Sequence, residues 1–68
     1  MDSMYKVIEL VGTSPNSFED AARNAVETAA KSLKDIRVAE VTEFDVKVEG
    51  GKVVSFRAKV KVSFKFKE

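Results

Sequence analysis

Cysteine, histidine and tryptophan are all absent from these 68 residues. Without cysteine there is no disulfide, no thiolate metal site and no cysteine nucleophile. Without histidine there is no imidazole metal ligand, no histidine general base and no triad built on one. Proline occurs once and glycine three times, too few for a linker-rich or low-complexity chain. No apolar run approaches the roughly 20 residues that span a bilayer. Met1–Leu10 mixes charges among its apolar residues, unlike a secretory leader. The reading is therefore cytoplasmic, with no membrane partner. Charge of one sign is also missing, because twelve basic and eleven acidic residues leave +1. That balance argues against a chain-wide cationic surface for nucleic acid. What remains is 44% hydrophobic and 34% charged, the composition of a folded domain. Residues 1–68 form one domain in this reading, too small to build a large core alone, so self-association is expected.

Periodicity places four elements along the chain. Tyr5–Val11 is short and β-branched, and reads as a strand ended by the turn formers Gly12–Ser17. Ser17 is placed to cap a helix with Asp20 in the capping-box position, and Ser14 before Pro15 is a competing start. Phe18, Ala21, Ala25, Ala29 and Leu33 lie on one apolar stripe, with Ala22, Val26 and Ala30 beside it. Glu19, Arg23, Glu27 and Lys31 alternate in sign on the other side. The stripe is rich in alanine, so a helix of about 17 residues can lie close to a sheet.

From Ile36 to Glu49 the period becomes two. Ala39 and Val41 share one phase, whereas Phe44, Val46 and Val48 share the other, which requires a bulge or bend between Val41 and Phe44. Gly50-Gly51 marks a hairpin. Val54, Phe56, Ala58, Val60, Val62, Phe64 and Phe66 then face the core, while Arg57, Lys59, Lys61, Lys65 and Lys67 face away. That strand extends for roughly 46 Å against about 25 Å of helix, so part of its apolar face must bury against another subunit. A two-residue loop would pair Phe44 with Arg57. Loops of three or five residues restore apolar pairing, and the five-residue choice sets Asp45 opposite Arg57 and Glu43 opposite Lys59. That register is the expected one.

Two clusters could carry chemistry. The last strand is strongly basic, but Phe56, Phe64 and Phe66 lie on its other face, so no aromatic is interleaved for base stacking. Its cations instead face the acids of the preceding strand as a salt-bridged surface. Glu43 and Asp45 share one face of a strand and suit a hard cation such as calcium or magnesium. Two carboxylates fill only part of such a shell, so waters or a symmetry mate would complete it, and a structural ion-pair role competes. Nothing in the pattern indicates an enzyme.

The segments YKVIELVGTSPNSFEDAARNAV, DIRVAEV and VKVSFKF closely resemble the dodecins, from about Tyr5 to Lys67. The resemblance implies an α+β fold, β-α-β-β, with a three-stranded antiparallel sheet partly wrapping one helix. It also implies a homo-oligomer of twelve copies forming a hollow shell. The best-known members bind flavins such as FMN in stacked pairs between subunits and store or quench them. Their stacking tryptophan is Val38 here and their ring-binding glutamine is Arg57, so weak flavin binding is expected. IRVA at this place is similar to a branch described as calcium-binding dodecins. In some dodecins a basic residue near the end of the last strand meets the phosphate of a nucleotide or of coenzyme A, and Lys65 matches it. The implied function is a small-ligand binding and storage shell using Val38, Arg57 and Lys65. The alternatives are a mainly structural shell, or a calcium-binding one using Glu43 and Asp45.

Overall fold

A computed structural model describes residues 4–65. Strand β1 (Tyr5–Ser14) leads into helix α1 (Phe18–Ala30), and β2 (Ile36–Glu49) and β3 (Lys52–Lys65) follow as a long hairpin. The sheet order is β1-β3-β2 and both pairings are antiparallel. This is the expected β-α-β-β fold.

Strand β1 runs three residues beyond its expected end. Gly12 sits inside it, paired with Ala58, where the sequence suggested a turn. A Cβ at Gly12 would lie 2.0 Å from the Ala21 carbonyl oxygen and 2.8 Å from the Ala25 Cβ. Close helix approach, rather than chain reversal, is what requires this glycine. Ser17 is the helix cap, its Oγ accepting the Asp20 N–H at 3.0 Å. Ser14 is not a start. Its buried Oγ donates to Asp20 Oδ2 at 2.9 Å and accepts the Asn16 N–H at 2.9 Å, which closes the turn under the helix. The carboxylate of Asp20 is thereby taken by Ser14, so the box is not reciprocal. The helix stops at Ala30, short of Leu33, because Lys31, Ser32 and Leu33 bond back to Thr28 and Ala29 as a closing turn. Arg23 pairs with Asp20 at 3.4 Å, one residue from the expected Glu19.

The core consists of Ala21 and Ala25 of the helix against Ala58, Val60 and Val62 of β3, flanked by Ile8, Leu10, Ala22, Val26 and Ile36. Small residues on both surfaces let backbone approach backbone, so density replaces bulk. At the N-terminal end of the helix, Phe18 packs on Phe44 and Phe56 with ring centroids 4.8 and 5.1 Å apart.

The hairpin register is Asp45 opposite Arg57 and Glu43 opposite Lys59, as expected, but its loop is shorter than expected. Glu49 pairs with Lys52 across a two-residue Gly50-Gly51 turn whose φ values are +58 and +76. Two positive φ values fit a two-residue hairpin turn, and glycine takes them without strain. Lys47 pairs with Ser55 and Val48 with Val53, so the irregularity beside Val54 supplies the extra residue that a longer loop would have. The bulge between Val41 and Phe44 is present, with Val41 opposite Val60 and Glu43 opposite Lys59. A third irregularity separates Ile36 and Val38. Phe66 and Lys67 lie outside the described residues.

Candidate functional site

The face of the sheet turned away from the helix gathers every candidate residue. Alternation puts Tyr5, Val7, Glu9 and Val11 of β1 there, with Arg57, Lys59, Lys61 and Lys65 of β3 and Val38, Glu40, Glu43 and Asp45 of β2. The central strand is basic and its β2 neighbour acidic. Opposite charges therefore face each other at Glu40 and Lys61, Glu43 and Lys59, and Asp45 and Arg57.

Two rungs close as ion pairs. Arg57 Nε donates to Asp45 Oδ1 at 2.6 Å and Nη2 donates to Oδ2 at 3.1 Å, a bidentate fork. Lys59 Nζ lies 3.1 Å from Glu43 Oε1. Hydrogen bonding from Arg57 holds the Asp45 carboxyl below the usual carboxylate range. The same bonds raise Arg57, and Glu43 raises Lys59. All four side chains keep some solvent contact, so the pairs set geometry more than stability.

The other residues are spread along β3. Val38 stands opposite Ser63, whose hydroxyl donates to the Val38 carbonyl at 3.3 Å. Lys65 stands opposite Tyr5, two residues further along the same face. Arg57 is six residues from Ser63, about 20 Å at strand rise. Within one chain Val38 and Lys65 are therefore neighbours, and neither reaches Arg57. A site using all three needs more than one copy.

Tyr5 and Val7 were not singled out from sequence. They flank Lys65 and Ser63 on β1 and are 53% and 56% exposed, beside Val38 at 61%. Together they form an exposed apolar patch with a lysine at its border. The signal lay in β1 having apolar residues in both phases, Tyr5 and Val7 against Ile8 and Leu10, which marks a strand with work on each face.

For a divalent cation the donor set of one chain does not fit. Among the described residues no three acidic side chains cluster, and Glu43 and Asp45 each already hold a cation of the protein. Calcium takes six to eight oxygens. Carboxylates from other copies would have to join them, and Arg57 and Lys59 would have to let go.

The fold is thus a β-α-β-β unit whose candidate residues share the outer sheet face at separate strand positions. The Dodecin family model matches residues 4–67, and the chain belongs to the dodecin family. It is 49% identical over 65 residues to the calcium dodecin of Mycobacterium tuberculosis, covering 96% of this chain and 92% of that one. A solved structure described as the calcium chelating antigen calcium dodecin from that organism, with a novel calcium-binding site, is 52% identical. It superimposes with a TM-score of 0.86 over 96% of this chain and 93% of its own. The dodecin structure from Streptomyces coelicolor is 36% identical with a TM-score of 0.93, over 98% and 96% of the two chains. No helix among the described residues is long and apolar enough to cross a membrane.

Proposed function

We propose that this chain is the subunit of a homo-oligomeric dodecin shell, a dodecamer, that binds and stores a small ligand on sheet faces brought together between copies. Val38, Tyr5 and Val7 supply its apolar surface, and Arg57 and Lys65 supply charge for an anionic group such as a phosphate. The observation that carries this reading is the roughly 20 Å between Arg57 and the Val38–Lys65 pair along one strand. Complementary parts of one site lie at opposite ends of the same face, as they do when neighbouring copies complete each other.

Free flavin binds this shell weakly. A ring sandwich needs a flat polarisable surface, and Val38 has only two methyl groups where stacking adds about 0.5–1.5 kcal/mol. Arg57 has donors only, and Asp45 holds it in a fork. Coenzyme A-like ligands, which carry phosphates and an apolar or stackable part, suit Lys65 and the patch better. Equilibrium dialysis of purified protein against FMN and coenzyme A tests this, with retention of coenzyme A and little FMN expected. Tight FMN retention contradicts it.

The second reading is calcium binding through Glu43 and Asp45, favoured by the identity to the calcium dodecin. It requires several copies to converge. Added calcium then raises the melting temperature by mass action, and Glu43→Gln abolishes the rise. Absence of any shift at millimolar calcium removes this reading.

A further inference from the structure

On the outer sheet face the cations of β3 are matched to their neighbours unevenly. Arg57 and Lys59 each form an ion pair with an acid of β2. Lys61 stands between two acids, Glu9 of β1 and Glu40 of β2, whereas Lys65 stands opposite Tyr5. Among the described residues neither of these lysines forms an ion pair, and neither do Glu9 and Glu40. Glu9 acts on Lys59 through its charge, without a hydrogen bond. All four side chains are exposed. One end of the face therefore presents an ammonium with no acid opposite it. The rung four residues along presents two carboxylates to one ammonium, a surplus of one negative charge.

Between the two ends lies the rung Val7–Ser63–Val38. The Ser63 hydroxyl donates to the Val38 carbonyl at 3.3 Å, so this middle step offers methyl groups and no free donor. Tyr5, beside Lys65, adds a flat ring that is 53% exposed. The order along β3 is cation, apolar surface, carboxylates, over about 14 Å at strand rise.

We infer that the ligand of the site proposed above lies lengthwise on this face, with its anionic group on Lys65, its flat part across Val7 and Val38 beside Tyr5, and an N–H donor against Glu9 and Glu40. The inference rests on that reading and adds two binding residues, Glu9 and Glu40, that set specificity. The chemical class is an amino-substituted aromatic ring carrying a phosphate, as in an adenine nucleoside 5′-phosphate. The flexible lysine stem moves its ammonium along the face, so a phosphate-to-amine span shorter than the strand distance still meets both ends. Carboxylates accept and cannot donate, so they select a ring edge that has hydrogens on nitrogen. A ligand lying the other way round would bring its phosphate against the surplus negative charge, and like charges in contact are strongly disfavoured. A divalent cation is a poor occupant of the same place. The Lys61 ammonium stands between the two carboxylates and repels it, and no three acidic side chains cluster among the described residues.

Isothermal titration calorimetry of the full chain compares adenosine 5′-phosphate with purine riboside 5′-phosphate, which lacks only the exocyclic amine. The amino nucleotide is expected to bind about tenfold tighter, the effect of one hydrogen bond to a charged acceptor. Glu9→Ala with Glu40→Ala removes the acceptors at exposed positions. In that variant, shown to be folded by circular dichroism, the two nucleotides are expected to bind within about twofold of each other. Lys65→Gln is expected to weaken both and leave their ratio unchanged. Equal binding of the two nucleotides by the unaltered protein overturns the inference, as does an unchanged preference in the folded alanine variant. Loss of the assembly in the alanine variant, read by sedimentation velocity, also overturns it, since the carboxylates would then be holding subunits and not ligand. If dialysis retains coenzyme A but neither nucleotide binds, this inference alone falls. If nothing is retained, the storage reading falls and this inference falls with it.

Discussion

Replacing Gly12 by alanine adds one methyl group at the closest approach in the fold. The new Cβ would meet the Ala21 carbonyl oxygen at 2.0 Å, the Ala25 Cβ at 2.8 Å and the Ala25 nitrogen at 3.0 Å. Two of these neighbours are helix backbone, so no flexible side chain can turn aside. Reaching ordinary contact near 3.4 Å from the carbonyl oxygen means moving the helix by about 1.4 Å. That separates Ala21 and Ala25 from Ala58, which are 0%, 7% and 0% exposed, and each ångström of gap forfeits a large part of their dispersion contact. Overpacking of this kind costs about 1–3 kcal/mol, and the rigid neighbours place it near the upper end. For a domain of this size that lowers the melting temperature by about 12–20 °C at equal protein concentration. Gly51→Ala is the control. Its φ is +76 and nothing lies within 4 Å, so only the left-handed strain of about 1–2 kcal/mol applies. Thermal melts followed by circular dichroism compare the two. If Gly12→Ala melts within a degree of the parent, close helix–sheet contact is not what fixes this glycine.

Further outcomes follow from the sheet face and the loops. Flavin fluorescence titrated with the unaltered protein is expected to show no tight stoichiometric quenching, whereas Val38→Trp with Arg57→Gln gains it. Quenching by the unaltered protein refutes the reasoning about Val38. The Asp45 carboxyl is held below its ordinary 3.8 by Arg57, so the pair's contribution is complete above pH 3.8 and is lost as pH falls through the lower folded value. Lys59 is raised above 10.5, so its contribution is complete below that pH and is lost as pH rises through the folded value. The stability difference between the protein and Asp45→Asn, from denaturant titrations, is therefore flat above pH 4 and shrinks in acid; a difference growing in acid contradicts the assignment. Asp35 has φ +61, and Asp35→Gly is expected to raise stability by about 0.5–1 kcal/mol, with a lowered melting temperature as the opposing result.

Much of this molecule could be read before its structure, for local reasons. The alanine stripe from Phe18 to Ala30 has one period and one partner surface, so the helix and its buried side followed directly. The charges of Glu43, Asp45, Arg57 and Lys59 fixed the hairpin register, because a slip of one residue would have opposed Phe44 to a guanidinium. The turn is shorter than alternation implies for a physical reason, the irregularity between Lys47 and Val48. A bulge beside Val54 and a longer loop shift the register equally, and alternation cannot distinguish them. Gly12 reads as a turn in the sequence because glycine is the commonest turn residue. Its actual cause, the helix passing over it, is a contact between distant positions. Tyr5 and Val7 were overlooked as site residues because apolar residues in both phases of a short strand look like ordinary burial. The resemblance places Arg57 and Val38 in one site, and only the strand register reveals that some 20 Å separates them in one chain.

Native mass spectrometry of the purified protein tests the central claim most directly, since it weighs subunits and retained ligand together. A single species of twelve 7.5 kDa chains, carrying added mass from a non-flavin ligand after purification, is the result predicted by a storage shell with a site shared between copies. A folded monomer with no bound mass at micromolar concentration would contradict it.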